Sequence, residues 1–206
     1  MLKAFIFDLG NVLIKISTEK IFQSWGSQSG LDWREIKERF RFDDQYYQFE
    51  RGALTPAQYF KHIRSEFCLP LSDAEMETGW NAIFDGKVHG ADRLLKALAR
   101  SYRVVVLSNT NEPHVKFFQS AYHEVLQPCE RIFVSNEIGI RKPETGAYRT
   151  VIDYLQLKPE EIVFFDDLPE NIVAGRRLGI IGIQFAGCEA VIQELKKIGI
   201  ELEQAS

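Results

Sequence analysis

The chain has 206 residues, of which 45% are hydrophobic and 26% are charged, and its formal net charge is −4 at pH 7. These values are typical of a folded globular protein and exclude a disordered or fibrous chain. Without a basic excess, neither nucleic acid nor an anionic membrane is an expected partner.

The first predicted element is a strand over residues 4–9, where apolar and aromatic residues run together. Asp8 interrupts this run before it can serve as the hydrophobic region of a signal peptide. The other apolar runs, such as 104–107, are far too short to span a bilayer. These features predict a cytoplasmic protein.

The next segment, residues 15–87, predicts a helical insertion. Apolar residues recur at helical spacing in four groups, at 21–25, 33–40, 59–67 and 76–84. Thr55 with Gln58, and Ser72 with Glu75, are spaced as capping boxes at two of the helix starts. A chain longer than the roughly 150 residues of an average domain can hold such an insertion. We predict a four-helix-bundle cap at 15–87 and a core formed by 1–14 and 88–206.

From residue 88 onward, apolar runs alternate with helical segments. Strands are predicted at 103–107, 131–134, 162–165 and 180–185, and helices at 112–121, 143–155, 169–178 and 189–198. Strands that alternate with helices in this way are typical of a parallel sheet covered on both faces. The predicted fold class is therefore α/β, with a Rossmann-like parallel sheet as the core.

Polar residues follow the predicted strands directly. They are Asp8, Gly10 and Asn11 after the first strand, Ser108 and Asn109 after the second, Arg141 and Lys142 before a helix, and Asp166 and Asp167 after the fourth. The carboxyl ends of parallel strands meet at one edge, where ligands bind. Three carboxylates gathered at this edge repel one another unless a cation lies among them, and the lysine there is suited to meet an anion. Mg²⁺ together with a phosphate satisfies both requirements.

These segments resemble the four motifs of the haloacid dehalogenase-like (HAD) hydrolase superfamily. The motifs are FDLGNV at 7–12, LSN at 107–109, RKP at 141–143 and FFDD at 164–167. The resemblance spans almost the whole chain and includes a helical cap that looks like the C1 type. The stretch ERGALT at 50–55 is similar to a cap loop of one phosphatase subgroup. The glycine in the first motif is shared with the bacterial α-D-glucose-1-phosphate phosphatases of that subgroup.

The resemblance implies a role for each catalytic position. Asp8 would be the nucleophile, forming an aspartyl-phosphate that water then hydrolyses. Ser108 and Asn109 would bind the phosphate, as would Lys142, which would also neutralise the transferring group. From the cap loop, Glu50 and Arg51 would contact the substrate.

The resemblance also implies a Mg²⁺ site. Asp8, the carbonyl of Gly10 and Asp167 would supply direct ligands. Asp166 would act through water or as a further ligand. Adjacent aspartates after a buried strand repel unless a cation separates them, so this pair is the most specific local signal. Asn171 is placed to orient the acidic loop, although a helix-surface asparagine is an equally good interpretation.

The chain departs from the family at Gly10, where most phosphatases of the superfamily carry a second aspartate as general acid and base. Proton transfer of that kind is worth about 10² to 10⁴ in rate. One alternative is a substrate whose leaving group departs easily, such as a sugar 1-phosphate, a flavin phosphate or an acyl phosphate. The other is an acid from the cap, with Glu50 the first candidate and Asp43 or Asp44 weaker ones.

Other candidate ligands carry less weight. Tyr46, Tyr47 and Gln48 lie near the cap loop, but an aromatic cluster in a helical bundle is more often core. His62, His89, His114 and His123 have no metal-ligand spacing and are interpreted as surface or satisfied core residues. Cys68, Cys129 and Cys188 lack the paired spacing of a zinc site or a disulfide framework, so we expect reduced thiols.

The leading hypothesis is a Mg²⁺-dependent phosphatase that acts on a small phosphate ester, with a sugar phosphate such as a hexose 1-phosphate the first expectation. Haloacid dehalogenation is an alternative, but two neighbouring aspartates without a cation would obstruct a carboxylate substrate. A weakly active regulatory protein that binds a phosphorylated ligand is the third hypothesis, with Gly10 as its supporting feature.

Overall fold

The computed structural model describes residues 1–202. In this part of the chain one sheet has five parallel strands: β1 (Ala4–Phe7), β4 (Arg103–Ser108), β5 (Arg131–Val134), β6 (Ile162–Asp166) and β7 (Ile181–Gln184). Their order is β5-β4-β1-β6-β7, so β1 lies in the middle. The chain runs from β1 to β4 and β5 on one side and then returns to β6 and β7 on the other, so a crevice opens at the carboxyl end of β1. The predicted parallel α/β core is confirmed.

The central strand β1 and its neighbour β6 are nearly continuous apolar runs rather than alternating patterns. Every residue of β1 is buried, as is every residue of β6. This is expected of a parallel sheet that is covered on both faces. On one face Phe5, Phe7 and Phe165 stack, and on the other Phe164 packs edge-on against Tyr148. The sheet is therefore a rigid floor for the residues that follow its strands.

The core helices cover these two faces. They are α6 (Ala91–Leu98), α7 (Glu112–Ala121), α8 (His123–Leu126), α9 (Ser135–Ile138), α10 (Thr145–Leu155), α11 (Pro169–Arg177) and α12 (Cys188–Lys197), with a 3₁₀ turn at Pro159–Glu161. The helix predicted from 143 begins at Thr145, so Pro143 precedes the helix instead of opening it. The reason is that the Asn109 side chain holds the backbone of Lys142 in a loop.

The insertion contains five helices between residues 18 and 81, all of them described. They are α1 (Thr18–Ser29), α2 (Trp33–Arg39), α3 (Asp44–Glu50), α4 (Pro56–Phe67) and α5 (Asp73–Asn81). The predicted count of four is wrong because α3 was missed. Only Phe49 and Glu50 of α3 are buried, so the segment has no apolar repeat at helical spacing. Both predicted capping boxes are present.

The insertion has its own hydrophobic core, centred on Trp25, Tyr59 and Trp80. A short antiparallel ribbon, β2 (Ile14–Ile16) with β3 (Phe84–Lys87), joins it to the sheet and was not predicted. We propose the division predicted above, with a cap at 15–87, because the ribbon lies at both of its boundaries. Of the proposed core, residues 203–206 lie outside the described residues.

None of the helices found between residues 1 and 202 has the length and apolar character needed to cross a membrane. The cytoplasmic location stays a prediction.

Candidate active site

A pocket of about 330 Å³ opens where β1, β4 and β6 end. Its floor comes from the sheet and its roof from the insertion. It is lined by Asp8, Gly10, Asn11, Ile16, Phe42, Tyr46, Tyr47, Glu50, Ser108, Asn109, Arg141, Lys142, Asp167, Leu168 and Asn171. Most of the polar residues predicted from the strand ends therefore meet in one place.

Lys142 lies at the centre of the floor and is only 1% exposed. Its Nζ is 2.7 Å from Asp8 Oδ1 and 2.5 Å from Asp166 Oδ2. Burial lowers the pKa of Lys142, but these two carboxylates outweigh that effect and raise it above its ordinary value. The ammonium group is therefore charged when a substrate arrives, and it can offset negative charge on a bound anion.

Asp8 follows β1 directly, and its backbone N–H donates to the carbonyl of Phe165 at 2.8 Å. Burial raises the pKa of Asp8 to about 7, with Asp166 acting in the same direction and Lys142 opposing them. A second cation beside Asp8 would favour the ionised form, which is the nucleophilic one. Lys142 contacts only Oδ1 of Asp8, so Oδ2 is available for that cation or for attack.

The two aspartates at the end of β6 have different surroundings. Asp166 is fully buried, and its oxygens accept from the backbone N–H of Leu168 at 2.9 Å, from Asn171 Nδ2 at 3.0 Å and from Lys142. Asp167 is partly exposed. Its Oδ2 accepts a long hydrogen bond of 3.4 Å from Asn11 Nδ2. Burial and the charge of Asp166 raise the pKa of Asp167. Asp167 therefore has oxygens to offer a ligand, whereas those of Asp166 are already bonded.

These acids fit a hard divalent cation. Asp8, Asp166 and Asp167 each offer a carboxylate oxygen, and the three atoms lie within 4.8 Å of one another. Gly10 lines the pocket beside them. Oxygen ligands in an open pocket are what Mg²⁺ prefers, because it keeps several waters and bonds to phosphate. Asp8 and Asp167 would hold such an ion directly, and Asp166 would act through water.

The roof of the pocket centres on Glu50, which ends α3 and is 3% exposed. Its Oε1 accepts from the Tyr46 hydroxyl at 2.9 Å, and its Oε2 accepts from Arg141 Nε at 2.8 Å. Burial raises the pKa of Glu50, while Arg141 and Tyr46 oppose that shift. The Arg141 guanidinium also lies 4.5 Å from the centre of the Tyr47 ring. An acid, a cation and two phenols from both parts of the chain thus surround the space above Asp8.

The family model for haloacid dehalogenase-like hydrolases matches residues 2–179, which is most of the chain. The chain belongs to the haloacid dehalogenase-like hydrolases. The family predicted from the four motifs is confirmed.

Two relatives of this hydrolase have names that describe phosphatases. The D-ribitol-5-phosphate phosphatase of Bacteroides thetaiotaomicron is 25% identical over 185 residues, which cover 87% of this chain and 89% of that protein. The sesquiterpene phosphatase astK of Aspergillus oryzae is 27% identical over 204 residues, covering 95% and 96%.

A solved structure is also similar to this hydrolase. It is the HAD family enzyme bt-2542 of Bacteroides thetaiotaomicron in complex with magnesium and inorganic phosphate. It is 27% identical, covers 91% of this chain and 96% of its own, and has a TM-score of 0.79.

Most of the residues predicted for this site line the hydrolase pocket, but Arg51 does not. Its Nη2 is 2.7 Å from Glu144 Oε1, at the start of α10, and Arg141 lies in the pocket instead. Asp43 and Asp44 also lie away from it, and Asp43 caps α3. Asn109 lines the pocket, but its side chain bonds the backbone N–H and carbonyl of Lys142 at 2.7 and 2.8 Å. Its observed contact is thus to the lysine that it positions.

Sequence reasoning placed Arg141 at the binding edge without giving it a role, and it missed Phe42 and Ile16 as pocket residues. The position of Arg141 next to Lys142, in a loop at the binding edge of the sheet, is the feature of the sequence that indicates a pocket residue. Phe42 and Ile16 lie in junctions outside the predicted helices, and the sequence pattern carries no signal for the direction in which such side chains point.

Proposed function

We propose that this hydrolase is a Mg²⁺-dependent phosphomonoesterase for small phosphorylated metabolites, with a hexose 1-phosphate as its first candidate substrate. One observation carries the proposal: Lys142, buried and bonded to Asp8, lies in a pocket where carboxylates of Asp8, Asp166 and Asp167 approach within 4.8 Å. Such a site attracts a phosphate together with a divalent cation, and it presents a carboxylate to the phosphorus.

In the proposed reaction Asp8 Oδ2 attacks phosphorus, and the bond from phosphorus to the leaving oxygen breaks. This gives an aspartyl-phosphate and an alcohol, which takes up one proton. Water then attacks the phosphorus, releases inorganic phosphate and restores Asp8. Lys142 offsets the charge on Asp8 and on the transferring group, and Ser108 donates a hydrogen bond to a phosphate oxygen. Mg²⁺, when bound, neutralises the phosphate oxygens so that an anion can approach a carboxylate.

Glu50 is our candidate for the proton carrier that Gly10 cannot provide. It lines the pocket, and burial raises its pKa, which increases the protonated fraction near neutral pH. A protonated Glu50 can give its proton to the leaving oxygen, and the resulting carboxylate can later accept one from the attacking water. In this structure Arg141 and Tyr46 bond to its oxygens, which orients the carboxyl group.

The pocket size and lining support a small polar substrate. Its volume of about 330 Å³ is at the lower end of the range for small-molecule sites. Arg141, Tyr46 and Tyr47 can donate hydrogen bonds to hydroxyl groups beyond the phosphate. A hexose 1-phosphate fits this chemistry. So does a pentitol 5-phosphate, the substrate class in the name of one relative.

The first test is hydrolysis of p-nitrophenyl phosphate and acetyl phosphate with Mg²⁺, and then with a chelator. We expect turnover that the chelator abolishes and that Asp8→Asn reduces by several orders of magnitude. The matched control is Asp153→Asn, which changes an exposed aspartate on α10. A panel of hexose 1-phosphates, pentitol 5-phosphates, nucleotides and cofactor phosphates then identifies the substrate.

Three results would contradict the proposal. Turnover that survives the chelator would favour metal-independent, dehalogenase-like chemistry. An Asp8→Asn variant with near-wild-type activity would remove the nucleophile assignment. No turnover even of acetyl phosphate would favour a protein that binds phosphorylated ligands without cleaving them.

A further inference from the structure

A second group of metal-ligating side chains lies on the insertion, outside the residues that line the active-site pocket. It consists of Asp43, His62 and Glu66, whose ligand atoms all lie within 4.8 Å of one another. His62 and Glu66 are one turn apart on α4, and Asp43 precedes α3. Each side chain is between 33% and 41% exposed, so an ion can reach the group from solvent.

The spacing of these atoms fits a tetrahedral ion. His62 Nε2 is 3.1 Å from Asp43 Oδ2 and 3.5 Å from Glu66 Oε2. Ligands about 2.0–2.1 Å from a tetrahedral Zn²⁺ lie about 3.4 Å from each other. The other oxygen of Asp43 accepts the Tyr46 N–H at 2.8 Å, which orients the carboxylate. An imidazole among the ligands favours Zn²⁺ over Mg²⁺.

Tyr59 supplies a separate observation that points to a ligand. Its side chain is fully buried on α4, one turn before His62, and the two ring centres are 6.4 Å apart. Its hydroxyl has no hydrogen-bond partner among the described residues. Burial raises the pKa of this hydroxyl, and the nearby charges of Asp43, Glu50 and Glu66 add to the rise, with Asp43 contributing most among them. A buried hydroxyl without a partner is costly, and a water bound to an ion at this site would give it one.

We propose that Asp43, His62 and Glu66 bind a divalent transition metal of the Zn²⁺ class, with water as the fourth ligand and Tyr59 bonded to that water. The ion ties the start of α3 to α4. Because α3 also carries Tyr46 and Glu50 into the pocket, the bound ion stabilises the roof of the active site. The site stands whether or not the chain is a phosphatase.

The test is calorimetric titration of metal-depleted full-length protein with Zn²⁺ in excess Mg²⁺. The stoichiometry of the wild type is compared with that of His62→Gln. Zn²⁺ taken up at Asp8 and Asp167 appears in both proteins and therefore cancels. His123→Gln is the matched control, because His123 is exposed on α8 and far along the chain from this group.

We expect the wild type and His123→Gln to bind one more Zn²⁺ than His62→Gln. Glu66→Gln is a second variant, on an exposed residue, and should also lose this ion. Tyr59→Phe keeps the ring that packs in the core and should weaken binding of this ion about tenfold. Co²⁺ in place of Zn²⁺ should give the strong visible absorption of a tetrahedral site in the wild type, and this should be absent from His62→Gln. Equal stoichiometry and equal Co²⁺ spectra in the wild type and His62→Gln would overturn the proposal.

Discussion

At the scale of single residues, Gly10 leaves little room for a larger side chain beside Asp8. A Cβ added there would lie 3.0 Å from Ile16 Cδ1, which is close enough that Ile16 must move. Ile16 also lines the pocket. The space that an acidic side chain would need beside Asp8 is therefore partly filled by a flexible apolar group from β2.

Restoring an acid at Gly10 should work only when space is made for it. We expect the Gly10→Asp/Ile16→Ala double variant to hydrolyse an alkyl phosphate about tenfold faster than Ile16→Ala alone, because proton donation limits poor leaving groups. Steady-state kcat/KM for an alkyl phosphate and for acetyl phosphate measures this. The gain should be confined to the alkyl phosphate. An equal change on both substrates would show that Gly10 affects binding and not proton transfer.

At the scale of elements, α3 is too short to be stable alone, since isolated helices of seven residues are marginal in water. Three contacts hold it. Asp43 caps its first turn, Arg141 binds Glu50 at its last residue, and Gly52 lies against the carbonyl of Asn136 in α9. Two of these contacts come from the sheet side of the pocket. The position of the roof thus depends on the loops of the core.

Glu50 on this helix gives the second prediction. Glu50→Gln should slow hydrolysis of an alkyl phosphate by about 10² to 10⁴ and that of p-nitrophenyl phosphate by less than about tenfold, because only the first needs a proton donor. Rates on the two substrates, with Arg51→Ala as the control, measure the difference. Arg51 neighbours Glu50 but pairs with Glu144 outside the pocket. Equal losses on both substrates would leave Glu50 with a positioning role only.

The contact at Gly52 gives the third prediction, and Gly30 provides its matched control. Both glycines have a left-handed φ, of +70° at Gly52 and +75° at Gly30. A Cβ at Gly52 would lie 2.1 Å from the Asn136 carbonyl, whereas none of the described atoms would meet one at Gly30 within 4 Å. Alanine should therefore cost about 1–2 kcal/mol of stability at Gly30 through φ alone. At Gly52 it should cost more and should also reduce kcat/KM.

Urea unfolding and kinetics on both alanine variants check this prediction. A Gly52→Ala variant with the same stability loss as Gly30→Ala and full activity would show that α3 tolerates displacement from α9.

At the scale of the whole molecule, the insertion and the core also meet where α5 packs against α7. His114 of α7 stacks on Trp80 of α5, with ring centres 5.1 Å apart and planes 10° apart. Its Nε2 donates to the Trp80 carbonyl at 3.1 Å, and its Nδ1 accepts from Asn111 at 3.1 Å. Both nitrogens of a neutral imidazole are thereby satisfied. Burial lowers the pKa of His114 from 6.5 to about 4.

Protonation of this histidine should lower the free energy of unfolding in mild acid, while the raised pKa of Asp8 acts in the opposite direction. The folded protein resists protonation of His114 while the unfolded chain accepts the proton, so stability is lost as pH falls from about 6.5 towards 4. The loss should be about 2 kcal/mol between pH 7 and pH 5. Urea unfolding at pH 7 and pH 5 measures the change in the free energy of unfolding. This change should be about 2 kcal/mol less unfavourable in His114→Gln than in the wild type, and it should be the same in His89→Gln as in the wild type. Parallel profiles would contradict the prediction.

Elements that depend on local sequence patterns could be predicted, whereas those that depend on contacts distant in sequence could not. The five sheet strands were predictable because buried parallel strands are continuous apolar runs, as in β1 and β6, and the residues that follow them converge by topology alone. Helix α3 and the ribbon of β2 and β3 could not be predicted, because contacts distant in sequence stabilise them. The same reason explains the two arginines. Arg51 and Arg141 both lie near the motifs, but only tertiary structure decides that Arg141 lines the pocket and Arg51 does not.

The contact between Lys142 and Asp8 also has a consequence for the chain as it is synthesised. Lys142 lies 134 positions after Asp8, and Asp166 follows it by another 24. During synthesis, Asp8 therefore leaves the ribosome long before Lys142, and it has no ammonium partner until most of the chain has emerged. A fragment that ends before Lys142 lacks both Lys142 and Asp166 and therefore cannot assemble this cluster.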